Sequence, residues 1–481
     1  MNSKTSLAKN SIYNVLYRML NVFFPLISAT YIARIILAKG VGEVSYAQNI
    51  VSYFTTLAAL GIPNYGIREI AKIRNDNKLV NRTFSELVTI NALSTTVCFI
   101  VYILMIFWIP SFRDNTIMYY AVGLMIPFNY INVDWFYQGN EDYSYITKRS
   151  FIIKFISLFA MFCFVRTERD AAIYALITSL ATGGNNIFNI IHLKHYGIKF
   201  QFRNLNLKKH LKSIIILLSS VIAVEFYTML DTTMIGIFCD SSSVAYYTNS
   251  MKLVKILITV VTAIGGVLLP RLSLYYSKGD IEKCEQVVNK VFRIMLLLFV
   301  PCEIGLILTA NIVMPFLFGE SFLPAVLTLR ISALLICTLG FSNLFGTQLL
   351  MTFGAERKLL ICTVMGAVSN VIVNLILIPI FQQNGAAVAS VISETIVTLM
   401  TVIYSGKYIK IRLSKHYIWT LFLSSTAMII IVLYIMSMHM NNLLQLGCSI
   451  LFGAVSYFGV NSIMKSSDLN EILNMIIRKK G

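Results

Sequence analysis

Charge is what this sequence has least of. Only 13% of its 481 residues are Asp, Glu, Lys or Arg, against 57% hydrophobic, and the mean hydropathy is +0.72. A soluble globular protein needs a charged surface, so this scarcity excludes that class and points to a polytopic membrane protein. Acidic residues are the scarcer sign, 22 against 40 basic ones. No GxxxxGK[ST] phosphate loop is present, so no motif for using ATP exists. The eight cysteines are scattered and form no CxxC, which reads as small packing residues rather than redox chemistry. The five histidines lack ligand spacing. Neither a metal site nor any other cofactor is expected. Loops on the outer side are all short, which leaves little room for an external catalytic domain.

What the chain does have is apolar stretches, each long enough to span roughly 30 Å of hydrocarbon. They fall at 11–37, 44–66, 83–109, 115–138, 147–166, 170–193, 212–238, 244–270, 287–312, 322–352, 359–381, 385–406, 417–438 and 442–464. The expected fold class is therefore an all-α polytopic membrane protein with about 14 transmembrane helices. The first stretch is too long for a cleavable signal peptide and carries Arg18 and Arg34.

A net charge of +18 suggests nucleic acid at first sight, but its distribution argues otherwise. With the N-terminus inside, only Lys39, Arg113, Arg166 and Arg169 lie outside, and Arg18, Arg34, Lys252, Lys255 and Arg330 lie within spans. That asymmetry is the positive-inside rule. It places both termini in the cytoplasm and removes the need for a polyanionic partner.

Internal matches divide the chain. Val44, Tyr46 and Asn49 recur as Val244, Tyr246 and Asn249 at the heads of the second and eighth stretches. Gly139 and Glu141 recur as Gly354 and Glu356, and the opening at Ala171 recurs at Ala386 with the same offset. These matches predict an N-terminal six-helix lobe (1–196), a cytoplasmic linker (197–211) and a C-terminal six-helix lobe (212–412). Two extra helices (413–465) and an amphipathic cytoplasmic tail (466–481) would follow. Six is even, so the lobes would share one topology about an axis along the membrane normal.

The first stretch is the most informative. Asn10, Asn14, Arg18, Asn21, Pro25 and Ser28 recur at helical spacing on one face. An arginine and three asparagines are costly in hydrocarbon, so this face should line protein or a water-filled cavity. The eighth stretch repeats the pattern with Thr248, Lys252, Lys255, Thr259, Thr262 and Gly266. Arg18, Lys252 and Lys255, with Asn14 and Asn21, would make a positive chamber between the lobes, suited to a phosphate or pyrophosphate group. The competing arrangement pairs Lys252 and Lys255 with Glu225 and Asp231 of the seventh stretch. Intramembrane Glu225, Asp231 and Asp134 are either ion-paired structure or protonation sites for ion coupling.

At the fourth stretch, Pro127 to Tyr143 with its Asp134-Trp135-Phe136-Tyr137-Gln138-Gly139 core, then Ile146 and Arg149, resembles bacterial polysaccharide repeat-unit flippases. These are Wzx-type members of the multidrug/oligosaccharidyl-lipid/polysaccharide exporter superfamily. Ala33-Arg34-Ile35 and the run Leu60 to Glu69 strengthen the resemblance, which covers most of the chain. It implies two six-helix bundles and a cargo of oligosaccharide on undecaprenyl pyrophosphate. The cargo would move across the bacterial cytoplasmic membrane by alternating access, driven by an ion gradient. Membrane lipid, and the glycan polymerase and glycosyltransferases of a capsule, O-antigen or exopolysaccharide pathway, are the implied partners. A drug or cation exporter of the same superfamily would instead need an acid-dominated cavity with dispensable lysines. A peptidoglycan-precursor flippase, a cousin whose arginine pattern is matched only at Arg18 and Arg34, ranks lower, and a membrane-embedded glycosyltransferase or polymerase is a further alternative.

Overall fold

The computed structural model describes residues 13, 17, 21, 23–201, 203, 205–266, 269–438 and 440–464. Asn10, Asn14, Arg18 and the tail at 466–481 lie outside the described residues. Within those residues no strand occurs. The chain forms two compact units, Met1–Ala245 and Tyr246–Gly481. Six helices among the described residues are long and apolar enough to cross a membrane: Asn77–Trp108, Ile281–Phe318, Ala325–Leu350, Glu356–Ser405, Lys415–Ser437 and Asn442–Ile463. Other long helices carry the polar side chains discussed below.

The first unit begins with α1 (Phe23–Ile35) and α2 (Leu37–Ala59). The expected loop between these spans is absent: Leu37 takes φ 57° and helix resumes at once. Gly42 then brings α2 against backbone, because a Cβ there would sit 1.6 Å from the Ser241 carbonyl oxygen. Gly42→Ala is therefore expected to destabilise the protein by about 3 kcal/mol, at the upper end of overpacking costs. Gly184, with nothing within 4 Å of its would-be Cβ, is the control. Thermal unfolding in detergent that treated the two Ala variants alike would contradict this.

Leu60 and Gly61 both have positive φ, and they separate α2 from α3 (Ile62–Ile73). Asp76 caps α4 (Asn77–Trp108) by accepting from the Lys78 and Leu79 N–H groups. The fourth apolar stretch, expected as one helix, is broken into turns as α5 (Thr116–Ile131) and α6 (Asp134–Gly139). Pro127 lacks an amide hydrogen. Beyond it, the buried Asn129 carboxamide donates to Asn91 Oδ1 (3.0 Å) and Thr95 Oγ1 (2.9 Å), and the Asn129 backbone carbonyl accepts from Asn91 Nδ2 (2.5 Å). Side chains of α4 thus take the place of helical partners. The unit continues with α7 (Tyr143–Phe164), α8 (Ala171–His192) and α9 (Lys208–Phe238).

The stretch expected to link the halves lies bound along α4 as a strap. Lys199 N–H donates to Asn81 Oδ1 (3.1 Å), Gln201 N–H to Ser85 Oγ (2.9 Å) and Asn206 N–H to Glu86 Oε1 (2.8 Å). Buried His210, at the start of α9, places its Nε2 2.8 Å from Glu86 Oε2 and its Nδ1 2.8 Å from the Tyr65 hydroxyl. His210→Ala removes a partner from a buried carboxylate and a buried phenol, at about 1–3 kcal/mol for each group left unpaired. Tyr65→Phe, which deletes one bond, is expected to cost about 1 kcal/mol. Chemical denaturation should rank the variants in that order.

The second unit contains most of α10 (Ser241–Gly266), then α11 (Leu269–Ser277), α12 (Ile281–Phe318) and α13 (Ala325–Leu350). From Asn343 to Leu350, α13 widens to π geometry. The 50-residue helix Glu356–Ser405 is two helices, because Gln382 leaves helical space at φ 52° and ψ −130°. The halves, α14 (356–381) and α15 (383–405), fold back on each other. A Cβ on Gly366 of α14 would lie 2.3 Å from Val397 of α15, and Asn370 Nδ2 reaches Ser393 Oγ at 3.4 Å. Next come α16 (Lys415–Ser437) and α17 (Asn442–Ile463), which bury Met428, Val432 and Tyr457 around Leu297 of α12.

A second strap precedes α16. Lys410 N–H donates to Glu285 Oε1 (3.0 Å) and Arg412 N–H to Asn289 Oδ1 (2.6 Å). In each unit, two acceptors one turn apart on a helix take backbone N–H groups from alternate residues of the following strap.

Candidate functional site

The polar groups fall into separate constellations, each built on a helix face. One of them is on α6, α7 and α8. Arg149 Nη1 and Nη2 reach Asp134 Oδ1 and Oδ2 at 2.9 and 3.3 Å, a two-pronged pair whose arginine side chain is only 5% exposed. Asn189 completes it, its Nδ2 donating to Asp134 Oδ1 at 2.6 Å while its side-chain Oδ1 accepts from Arg149. Tyr145 lies under the guanidinium, 5.5 Å from ring centroid to Cζ. Asp134 is thus ion-paired with Arg149.

The run after Asp134 anchors this pair. Trp135, Phe136 and Tyr137 are all buried. The Trp135 ring occupies the space a Cβ on Gly66 would need, at 2.5 Å, and Gly139 packs on Ile70 in the same way at 2.9 Å. Two glycines without side chains thus let α3 and α6 touch, and Tyr137 OH donates to the Asn189 carbonyl (2.5 Å), tying α6 to α8.

A second constellation joins the first polar stripe to α7. Asn21 is exposed and accepts from Lys154 Nζ at 2.5 Å. Tyr17 hydrogen-bonds Asn21, and the Lys154 ammonium sits 5.4 Å from the Phe24 ring centroid. Thr147 Oγ1 also meets the Tyr13 carbonyl at 2.9 Å. Residues 13, 17, 21 and 24 therefore run along α7. Ser28, by contrast, is buried and bonds back to the carbonyls of Phe24 and Pro25.

The remaining candidates lie on α9 and α10. Asp231 is buried on α9, near Tyr53 of α2, and Glu225 is half-buried one helix face away. On α10, half-buried Lys252 donates to buried Asn249 Oδ1 at 2.8 Å, and Lys255 is exposed. Asn49, which matches Asn249 in sequence, donates to Thr233 Oγ1 (2.7 Å) and the Met229 carbonyl (3.2 Å), binding α2 to α9.

The family profile described as polysaccharide biosynthesis protein matches residues 7–276, more than half of the chain. The chain belongs to this family. A second profile, that of the lipid II flippase MurJ, matches residues 146–455. The putative O-antigen transporter of Escherichia coli K12 is 21% identical over 408 residues, covering 84% of this chain and 97% of that protein. The probable low-salt glycan biosynthesis flippase Agl15 of Haloferax volcanii is 28% identical over 235 residues, 48% of this chain and 49% of the relative. Among solved structures, the lipid II flippase MurJ in an inward closed conformation superposes with a TM-score of 0.72 at 16% identity, over 93% of this chain and 98% of that one. That likeness speaks to the fold. The protein is a Wzx-type flippase of the multidrug/oligosaccharidyl-lipid/polysaccharide exporter superfamily, a transporter rather than an enzyme.

Within this flippase, sequence reasoning missed Lys154, Arg149 and Asn189. The signal for α7 is present in the chain: Thr147, Ser150, Lys154 and Ser157 recur at steps of three, four and three, and the hydroxyl-bearing members are buried. Position along the fifth stretch alone puts Lys154 among the cations of a cytoplasmic span end. The structure instead places its ammonium beside Asn21, on the same polar face.

Proposed function

We propose that this flippase carries an oligosaccharide repeat unit on undecaprenyl pyrophosphate across the bacterial cytoplasmic membrane by alternating access. The family membership carries this reading, and the names of its relatives, an O-antigen transporter and a glycan biosynthesis flippase, support the cargo class. Arg18, Lys252 and Lys255 engage the pyrophosphate, with Asn14 and Asn21 beside them. Lys154, hydrogen-bonded to Asn21, adds a fourth cation to that set. Glu225, Asp231 and Asp134 carry the coupling ion, the last from its pair with Arg149.

About 14 spans, two six-helix repeats with a pair of added helices, and cytoplasmic termini complete the proposal. The two straps support the repeat, since each unit uses the same spacing of acceptors and donors. The positive-inside distribution of Lys and Arg supports the orientation. The pathway's glycosyltransferases supply the cargo and its polymerase consumes it. Expression in a strain lacking its own repeat-unit flippase should restore export of a compatible surface glycan. Drug resistance without glycan export would favour the drug-exporter alternative.

A further inference from the structure

A pocket of about 420 Å3 opens at the polar end of the second unit. Its walls are Glu282, Glu285, Gln286, Asn289 and Arg293 of α12, and Arg412 of the strap. The five α12 residues follow steps of three, one, three and four, so they share one helix face. In the first unit the strap runs on past Gln201, and Asn206 and His210 bind Glu86. In the second unit the strap is shorter. Ser414 caps α16 two residues after Arg412, its Oγ accepting from the Tyr417 N–H at 3.1 Å. The α12 face beside this strap is a pocket wall.

The charges in this pocket are ordered. Arg293 lines the same wall one turn after Asn289, and side chains on a helix lean toward its N-terminus. Arg412 is held at the same level, because its N–H donates to Asn289 Oδ1. Glu285 and Glu282 lie one and two turns further toward the N-terminus of α12, away from its apolar body. At 1.5 Å per residue they stand roughly 6 and 10 Å beyond the cations. A phosphate and an ammonium two carbons apart, each about 3 Å from its protein partner, fill such a gap. Trp419, exposed on the first turns of neighbouring α16, marks this level as a membrane–water boundary.

We propose that the pocket binds the phosphoethanolamine head group of a membrane lipid. Arg293 and Arg412 take the phosphate, and Glu282 and Glu285 take the ammonium. A phospholipid carries its phosphate nearer the acyl chains and its ammonium further out, the order in which this pocket offers cations and carboxylates. An anionic phosphoglycerol head group would bring the two carboxylates no cation.

The test uses the purified full-length protein in non-ionic detergent, with short-chain phosphatidylethanolamine or phosphatidylglycerol added and retained lipid read by native mass spectrometry. Phosphatidylethanolamine should be retained in preference. Arg412→Gln and Glu285→Gln should each weaken it about tenfold, the loss of one charge-assisted contact. Both variants keep the strap in place. The Arg412→Gln change leaves the backbone N–H untouched, and the carboxamide oxygen introduced by Glu285→Gln still accepts from the Lys410 N–H. Soluble glycerophosphoethanolamine separates the two sources of this chemistry, and should bind more weakly than the lipid. Equal binding of the soluble compound would overturn the lipid assignment. Equal retention of both lipids, or unchanged retention by both variants, would overturn the site.

Discussion

Arg149→Ala is expected to destabilise the first unit by about 3 kcal/mol, the lower end of the range for breaking a buried pair from one side, because the Asp134 left behind keeps 24% of its side chain exposed. Three groups depend on that guanidinium: the Asp134 carboxylate, the Asn189 side-chain oxygen and the Tyr145 ring. Asp134→Asn should cost nearly as much, because it leaves a cation that is 5% exposed without its counter-charge. Replacing both partners by apolar residues of similar size, Asp134→Leu with Arg149→Met, should recover most of the loss, since desolvation of the pair is then no longer incurred. Trp135 adjoins the pair in sequence and is buried beside Phe84, so its fluorescence reports unfolding of this region directly. Single variants that unfold with the unmodified protein would show that the pair contributes nothing.

Loss of the intramembrane cations should have the opposite profile, with protein retained and export abolished. If these cations form the proposed cargo site, Arg18→Gln, Lys154→Gln, Lys252→Gln and Lys255→Gln each delete one charge-assisted contact to a phosphate. Each should reduce repeat-unit export roughly 10- to 100-fold, corresponding to about 1.5–3 kcal/mol. Lys252 already meets a neutral partner, Asn249, at 2.8 Å, so its substitution leaves no carboxylate stranded there. Lys252→Arg keeps the charge and should keep most of the export. Paired with Western blotting of membranes, the series separates the site from the scaffold. Normal export in all four Gln variants at normal protein levels would refute the assignment of the cargo site.

The contrast between these two results reflects what a sequence pattern can carry. The polar stripe of the first helix is visible because helical spacing is local, and a run of Asn and Arg amid Ile, Val and Phe has few innocent explanations. Its partner is not visible. Asn21 and Lys154 lie on helices far apart in the chain, and no periodicity links them. Asp134 stands out as an unusual carboxylate, but nothing along the chain pairs it with Arg149 and Asn189. The aromatic run beside it carries the family resemblance, yet its physical work is packing: Gly66 and Gly139 let α3 meet α6 at van der Waals distance.

By itself the sequence determined the class of molecule, its family and the approximate limits of its longer helices. Each follows from composition or from pattern along the chain, which need no knowledge of what lies opposite. Tertiary structure alone decided which polar groups pair, where helices break and how the straps attach. The breaks at Leu37 and Gln382 are backbone conformations, and the strap bonds at Lys199 and Lys410 are donated by backbone N–H groups. Every residue but proline carries the same amide, so such a bond leaves no mark on the identity of its donor.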